Sequence, residues 1–467
     1  MTSSPPSGAL GFWRELPVSG RWLLSTVVLQ FFGRGLTLPF TIIYLHEVRG
    51  FSLDLAGTLM GVLAAVGLAV TAPAGTLIDR LGARVVILGG LACAVVGYTV
   101  LAFATEPWTA ALGLALAGVF MGVSWPANNS LVATIVTGDL RQRYFGVNFA
   151  LLNLGIGVGG VVGGLAMDVD RPVTFVAAFL VNAASFVIPA VVLFGPLRGL
   201  SGRAVREVRT MPDDDAAGGT ATSPAGSAAG QGETAPAAGG SPASSGAAAT
   251  RPGTESYPAI LRRPEVLWLT VLTLLASFAG YGQMEGGFPA YARGVAGVST
   301  QVIGFAFVVN TVVIVALQFW VMNRTRGRRR TFVLALMAIV WAAAWVLLGL
   351  TGLMPGGVAA AATVLLFHAV FALGETLQQT ALPALTNDMA PDHLRGRYNA
   401  ISSGAFQVGA IAAPVAAGFL LDRGLSVAFI ALVTLGCLSI AGIALALRRR
   451  ITAEVDGSPQ PALSPHT

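Results

Sequence analysis

The sequence predicts an all-α membrane protein in which 12 transmembrane helices form two pseudo-symmetric six-helix bundles. Its 467 residues are 54% hydrophobic and 11% charged, with a mean hydropathy of +0.73, too apolar for a water-soluble fold of this size. Apolar runs close to the roughly 20 residues that cross a bilayer as a helix recur along the chain. A repeat supplies the two-fold plan. RYFGVNFALLNLGIGVGGVVGGLAMD, from Arg143 to Asp168, aligns without a gap on RYNAISSGAFQVGAIAAPVAAGFLLD, from Arg397 to Asp422, and both ends give one offset (397 − 143 = 422 − 168 = 254).

The polar start, MTSSPPSGALGFWRELPVSG, lacks the apolar core and cleavage site of a signal peptide, so the first long run is expected to insert and stay. Six spans are read near Trp22–Tyr44, Ala56–Leu77, Val85–Ala104, Ala110–Ile135, Phe145–Met167 and Phe175–Phe194. From Arg198 to about Tyr257 the chain is dominated by Ala, Gly, Ser, Thr and Pro around an acidic patch at Asp213, Asp214 and Asp215, the composition of a disordered linker. Six further spans fall near Val266–Tyr291, Val302–Met322, Phe332–Leu350, Val358–Leu385, Ala400–Leu421 and Val427–Leu447. The organisation is therefore an N-terminal bundle over 1–198, a linker over 199–257 and a C-terminal bundle over 258–467.

All 28 basic side chains are arginine, and their placement assigns the two sides of the membrane. Arg14, Arg21, Arg80, Arg84, Arg141, Arg143, Arg198, Arg203, Arg206, Arg209, Arg262, Arg263, Arg324, Arg326, Arg328, Arg329, Arg330, Arg395, Arg397 and Arg448 to Arg450 fall on one side, and only Arg49, Arg171, Arg293 and Arg423 lie in the opposite loops. The crowded side is expected to be cytoplasmic, with both termini and the linker, in the cell's cytoplasmic membrane. No basic stripe with interleaved aromatics lies outside the spans, which argues against nucleic acid. Cys93 and Cys437 each sit in an apolar run, so neither a disulfide framework nor a metal site is expected.

The second span ends in GTLIDRLGAR. Gly75 permits close approach of two helix ends, and Asp79 can complement a neighbouring helix N-terminus. Arg80, Gly82 and Arg84 complete the pattern and also serve the positive-inside rule. The corresponding second-half loop, NRTRGRRR from Asn323 to Arg330, keeps the basic residues without the acid and reads mainly as an anchor. Gly146, Gly155, Gly159, Gly163 and Gly164 in the fifth span are suited to backbone-to-backbone packing. Arg34 lies inside the first span, in FFGRGLTLPFTIIYL, where a cation costs roughly 2.5 to 3.5 kcal/mol on insertion scales and should face a polar cavity. Glu285 in the seventh span and Glu375 in the tenth are the acids available to it, either as proton carriers or, for Glu375, as a structural partner. Gln283, Gln379 and Gln407 are candidate substrate contacts, with His368, Asn128 and Asn153 as further polar side chains and Trp125, Phe288 and Phe406 as candidate aromatic ones.

The GxxxDRxGxR loop, the fifth-span glycines, the Gly374–Glu375 pair and MAPDHLRGRY resemble the major facilitator superfamily, and within it bacterial proton-coupled multidrug exporters. Gly160 stands where the family's antiporter motif has Pro, and Gly118 stands where many exporters carry a fourth-span Arg. The resemblance implies the major facilitator fold and a gate between the Gly75–Arg84 loop and the eleventh span. It also implies proton-coupled efflux of small amphipathic compounds or drugs by alternating access, with Arg34, Glu375 and Glu285 in the central cavity. The expected partners are a small-molecule substrate, protons and the lipid bilayer, with the chain acting as a monomer. No HExxH, nucleophile elbow or GxxxxGK[ST] loop occurs, so no enzyme activity, cofactor or direct use of ATP is expected. A carrier for one nutrient or metabolite, and a transport-inactive membrane sensor, are the competing readings.

Overall fold

The computed structural model describes residues 9–136, 138–200, 256–391 and 394–457; nearly all of the expected linker, 199–257, lies outside them. Twelve helices among the described residues are long and apolar enough to cross a membrane. Their principal helices are α1 (Val18–Thr37), α2 (Leu53–Leu81), α3 (Ala83–Ala102), α4 (Pro107–Ile135), α5 (Gly138–Ala166), α6 (Pro172–Phe194), α7 (Pro264–Ala276, the first part of a span that runs to Glu285), α8 (Thr300–Thr325), α9 (Arg330–Leu350), α10 (Gly357–Asp388), α11 (Arg395–Asp422) and α12 (Ser426–Leu447). Short helices Ala9–Glu15 and Tyr257–Leu261 precede α1 and α7.

Local chemistry sets several ends. Ser52 and Ser299 cap α2 and α8 by accepting from Leu55 N and Val302 N at 3.3 and 3.5 Å, satisfying amides that the first turn leaves free. Gly82, at φ 90° and ψ 146°, separates α2 from α3; this left-handed geometry disfavours any side chain. Pro73, Pro126, Pro189, Pro383 and Pro414 lie inside helices, which membrane bundles tolerate because neighbours meet the freed backbone groups.

The seventh span, read from the sequence as Val266–Tyr291 with an interruption at Gly286, Gly287 and Pro289, is broken at Gly286 and also earlier, at Gly280. Beyond α7 it passes through a π turn at Ser277–Tyr281, a short helix Gly282–Glu285 and another, Gly287–Gly294. Gly280 has φ −103° and ψ −108°, and Gly286 φ −125° and ψ −67°. The Trp341 ring covers Gly280 and Gly374, where a Cβ would collide with it. Trp345 Nε1 donates to the Ala279 carbonyl at 2.9 Å, so a group exposed by the break is met from α9.

Packing follows one scheme twice. In the first half α1 packs on α5 and α6, α3 on α4 and α6, and α2 on α4; in the second α7 packs on α11 and α12, α9 on α10 and α12, and α8 on α10. Between the halves the principal contacts are α2 with α11 and α5 with α8, pairs that a two-fold exchange of halves converts into each other. Glycines permit both kinds of contact. A methyl group added at Gly155 or Gly163 would stand 2.6 or 2.8 Å from the Val28 or Leu36 carbonyl of α1, and one at Gly164 would stand 2.8 Å from Gly304 Cα of α8. The repeat partners of Gly155 and Gly164 do likewise: Gly409 (155 + 254) faces α7 at Leu274, and Gly418 (164 + 254) faces α2 at Leu53.

Candidate transport site

Glu375 occupies the wall of a cavity of about 720 Å³ that runs from it to the α8–α9 loop at the arginine-rich end. Glu375 is 7% exposed. Asn310 Nδ2 of α8 donates to its Oε2 at 2.6 Å, and the Tyr281 hydroxyl also lies within hydrogen-bonding reach. Gln379, one turn further along α10, donates from Nε2 to the Tyr281 oxygen at 3.0 Å. Phe149, Asn153, Gln318 and Phe406 contribute to the same wall. The break in α7 positions Tyr281, while the period of α10 puts Glu375 and Gln379 on one face.

Arg34 does not reach this carboxylate. Its Nη2 donates to Glu285 Oε1 at 3.0 Å, joining α1 to the broken seventh span, with the side chains 28% and 31% exposed. Tyr98 lies beside the pair, and a small cavity there is lined by Thr37, Thr41, Met60 and Phe120 among others. The three charges expected at one centre therefore form two sites, Arg34 with Glu285 and Glu375 with Asn310 and Tyr281.

Other sequence candidates scatter. Gln379 and Phe406 line the large cavity, but Gln283 is fully buried, its Nε2 3.5 Å from the Ala413 carbonyl and its Oε1 without a hydrogen bond. Gln407 faces α2, 3.8 Å from where a Cβ on Gly67 would lie. His368 is buried among Phe288, Phe307 and Phe367, with neither ring nitrogen bonded. Gln283 stands two residues from Tyr281, and side chains at that spacing do not share a helix face.

The two ends of the seam between the halves differ. At the end opposite the arginine-rich one, Glu47 holds Arg293 at 2.7 and 3.0 Å, and that hydrogen bonding raises the arginine above its ordinary pKa. Asp422 Oδ1 accepts from Leu53 N at 2.9 Å, Arg423 stands 3.6 Å from Asp54, and Thr300 Oγ1 donates to the Met167 carbonyl at 2.9 Å. At the arginine-rich end Gly75 has nothing within 4 Å of an added Cβ, Gly146 likewise, and Asp79 is exposed. Gly82 makes the turn and Arg84 Nε donates to the Leu193 carbonyl at 2.8 Å; Arg80 is exposed. Among the described residues, nothing of α11 therefore packs against Gly75.

Sequence reasoning missed Asn310, visible only as a lone amide in an apolar run, and the Glu47–Arg293 pair. It also took the α8–α9 loop as lacking an acid. Arg330 is met instead by Asp388 of α10 at 2.6 Å and by the segment after α12. The Asp456 carboxylate there accepts from Thr331 N and Oγ1 at 2.8 and 2.9 Å.

Comparison with known proteins agrees with this architecture. A family model described as Major Facilitator Superfamily matches residues 23–372 and 347–465. The class C tetracycline resistance protein of Escherichia coli is 29% identical over 169 residues, 36% of this chain and 42% of that protein. The quinolone resistance protein NorA of Staphylococcus aureus is 26% identical over 174 residues, 37% of this chain and 45% of that protein. The chain thus matches less than half the length of these relatives. A solved POT family transporter in complex with 5-aminolevulinic acid superposes with a TM-score of 0.71 at 14% identity, covering 96% of this chain and 99% of that one. The nucleoside transporter NupG gives 0.67 at 11%, covering 92% and 99%. At such identities the likeness concerns the fold.

Proposed function

The chain belongs to the Major Facilitator Superfamily, and from that premise we propose that this multi-pass membrane transporter is a proton-coupled exporter of small amphipathic compounds. In this reading it works as a monomer in the cytoplasmic membrane, with two six-helix bundles over 1–198 and 258–467 joined by a cytoplasmic linker. Its arginine-rich end and both termini face the cytoplasm, as the positive-inside rule requires. The cavity then opens toward the compartment from which an exporter loads.

The observation that carries the reading is Glu375: a residue 7% exposed, on the wall of a cavity of about 720 Å³, with hydrogen-bond donors but, among the described residues, no cation in contact with it. An unpaired carboxylate is costly at that depth. A proton relieves the cost, and so does a ligand bearing a positive or donor group, so the two compete for one site. Competition of this kind couples their movements across alternating access. Tyr281, Phe149 and Phe406 offer aromatic surface to the apolar part of the ligand. Arg34 and Glu285 tie α1 to the seventh span and serve as a second charge pair that must rearrange as the halves rock. Names of the tetracycline and quinolone resistance relatives accord with export of such compounds.

The test is gradient-driven uptake of a lipophilic cationic dye into inverted vesicles, comparing the intact protein with Glu375→Gln under one imposed pH gradient. Uptake by the intact protein that the variant loses is expected. Absence of uptake by intact, folded protein would overturn export of broad amphipathic compounds and favour a carrier for one metabolite. Uptake retained by Glu375→Gln would remove that residue from the coupling.

A further inference from the structure

A second cavity, of about 130 Å³, lies within the first half between α1, α3, α4, α5 and α6. Three side-chain amides converge on it, Gln30 of α1, Asn128 of α4 and Asn148 of α5. Asn148 is 8% exposed, and none of the three amides makes a hydrogen bond among the described residues. A buried amide without partners is costly, so these amides are placed for a polar group from outside the chain. No acid lines the cavity among the described residues, and its one cation there, Arg34 at the inner end, is already neutralised by Glu285 at 3.0 Å. The cavity is polar without a net charge. It also adjoins the cavity of Glu375. Tyr144, Asn148 and Leu152, four residues apart on α5, line the smaller one, whereas Phe149, Leu152, Asn153 and Ile156 line the larger. These are neighbouring stripes of one helix, and Leu152 belongs to both walls.

Each side-chain amide presents one carbonyl acceptor and two N–H donors. The ligand group that meets donors and acceptors together without adding charge is a carboxamide, whereas a carboxylate offers no donor and an ammonium no acceptor. The volume is near that of a cavity of about 150 Å³ that admits benzene, and Phe31 and Tyr144 supply aromatic wall, which sets the ligand at a single ring. We propose that this cavity is the pocket for the uncharged end of the transported molecule and takes a ring bearing a carboxamide, while the cationic end of the same molecule meets Glu375. The exported class is then a cation joined to a carboxamide-bearing ring. The charged end exchanges with the proton at Glu375. The uncharged end exchanges only with water, so the amide pocket sets affinity and selectivity without entering the coupling. Its role in transport rests on the export reading; the binding of the ring does not.

Benzamide is the first probe, titrated calorimetrically into the full chain in lipid nanodiscs against empty nanodiscs. Acetophenone, which keeps the carbonyl and loses the N–H donors, and benzoate are the controls. Saturable benzamide binding is expected, about fivefold tighter than acetophenone through the hydrogen bond the ketone lacks. It should also exceed benzoate, whose charge the neutral pocket leaves uncompensated. Asn148→Leu, nearly isosteric, should weaken benzamide about fivefold, and Asn128→Leu repeats the test if that variant does not fold. The second probe is a pair of permanent cations with a flexible chain, phenylhexyltrimethylammonium and its para-carboxamide derivative, supplied to inverted vesicles under one imposed pH gradient. The derivative should show a KM about fivefold lower than its parent, and Asn148→Leu should bring the ratio toward one, a change of selectivity that lost stability alone would not produce. Benzamide that does not saturate, acetophenone or benzoate binding as tightly, Asn148→Leu binding unchanged, or equal KM values for the two cations would overturn the proposal. Transport of neither cation by folded protein that still binds benzamide would overturn the export reading and the pocket's role in it, and leave the carboxamide site established.

Discussion

At the far end of the seam Gly57 of α2 lies against Pro414 of α11 and Gly164 of α5 against Gly304 of α8, whereas at the arginine-rich end methyl groups added at Gly75 or Gly146 would meet nothing within 4 Å. The same helices run through both ends. A glycine inside a helix costs about 1 kcal/mol relative to alanine, and the far-end glycines return that cost as backbone contact with the opposite half. Gly75 returns nothing in this state, and Asp79 beside it is solvent-exposed. Under alternating access these idle residues belong to the other state, in which the arginine-rich end closes and the far end parts. The contrast teaches that one structure of such a protein displays half of its contacts.

The sharpest way to break the comparison is to place leucine at Gly57 and, separately, at Gly75. Overpacking a close contact costs typically 1 to 3 kcal/mol, so Gly57→Leu should shift the population toward a parted far end by about fivefold to more than a hundredfold. Spin labels on α2 and α11 near Leu53 and Asp422 should report a longer distance, and dye transport should fall accordingly. Gly75→Leu should leave that distance unchanged while slowing transport, since the added side chain meets its neighbour only when the arginine-rich end closes. Equal effects on the distance would erase the distinction between the ends.

Charge gives a smaller effect of the same sign. Glu47 and Arg293 are 24% and 26% exposed, between the surface pairs that contribute about 0 to 1 kcal/mol and the buried ones whose disruption costs about 3 to 5. Glu47→Gln should therefore part the far end by about 1 to 2 kcal/mol, a factor of roughly 5 to 30. The exchange Glu47→Arg with Arg293→Glu should recover most of the closed population. Asp79→Asn should leave the far-end distance as it is and reduce turnover.

Much of this was legible in the sequence because its signals are local or periodic. Twelve spans follow from hydropathy, and the role of α5 as a packing helix from Gly155, Gly159 and Gly163 at intervals of four. The repeat offset of 254 gave the two-fold plan, and the structure adds that α11 presents Gly409 and Gly418 to α7 and α2 as α5 presents Gly155 and Gly164 to α1 and α8. What stayed illegible depends on which partner a side chain finds across the bundle. Arg34 had two acids in reach by composition, and only the path of the seventh span through Gly280 and Gly286 assigns it Glu285 and leaves Glu375 to Asn310. Gln283 went to the core, on the side of the helix away from Tyr281. Asp456 carries no periodic signal, since it lies beyond the last span and acts on a helix 125 residues earlier.

That aspartate gives the smallest of the expected effects and a control on the rest. The first turn of α9 needs acceptors for its free amides, and Asp456, 1% exposed, serves Thr331 while its own carbonyl accepts from Arg330 N at 2.8 Å. No side chain caps the corresponding start of α3. Asp456→Ala should lose about 1 kcal/mol, the typical cost of a lost helix cap, read as a lower thermal midpoint in detergent, whereas Asp79→Asn should leave the midpoint unchanged. Because the cap sits at the arginine-rich end within the second half, it should not alter the spin-label distance at the far end. If that distance lengthens in Asp456→Ala, the tail is not merely a cap: it helps to hold the open cavity, and the two ends of the seam are coupled through α9.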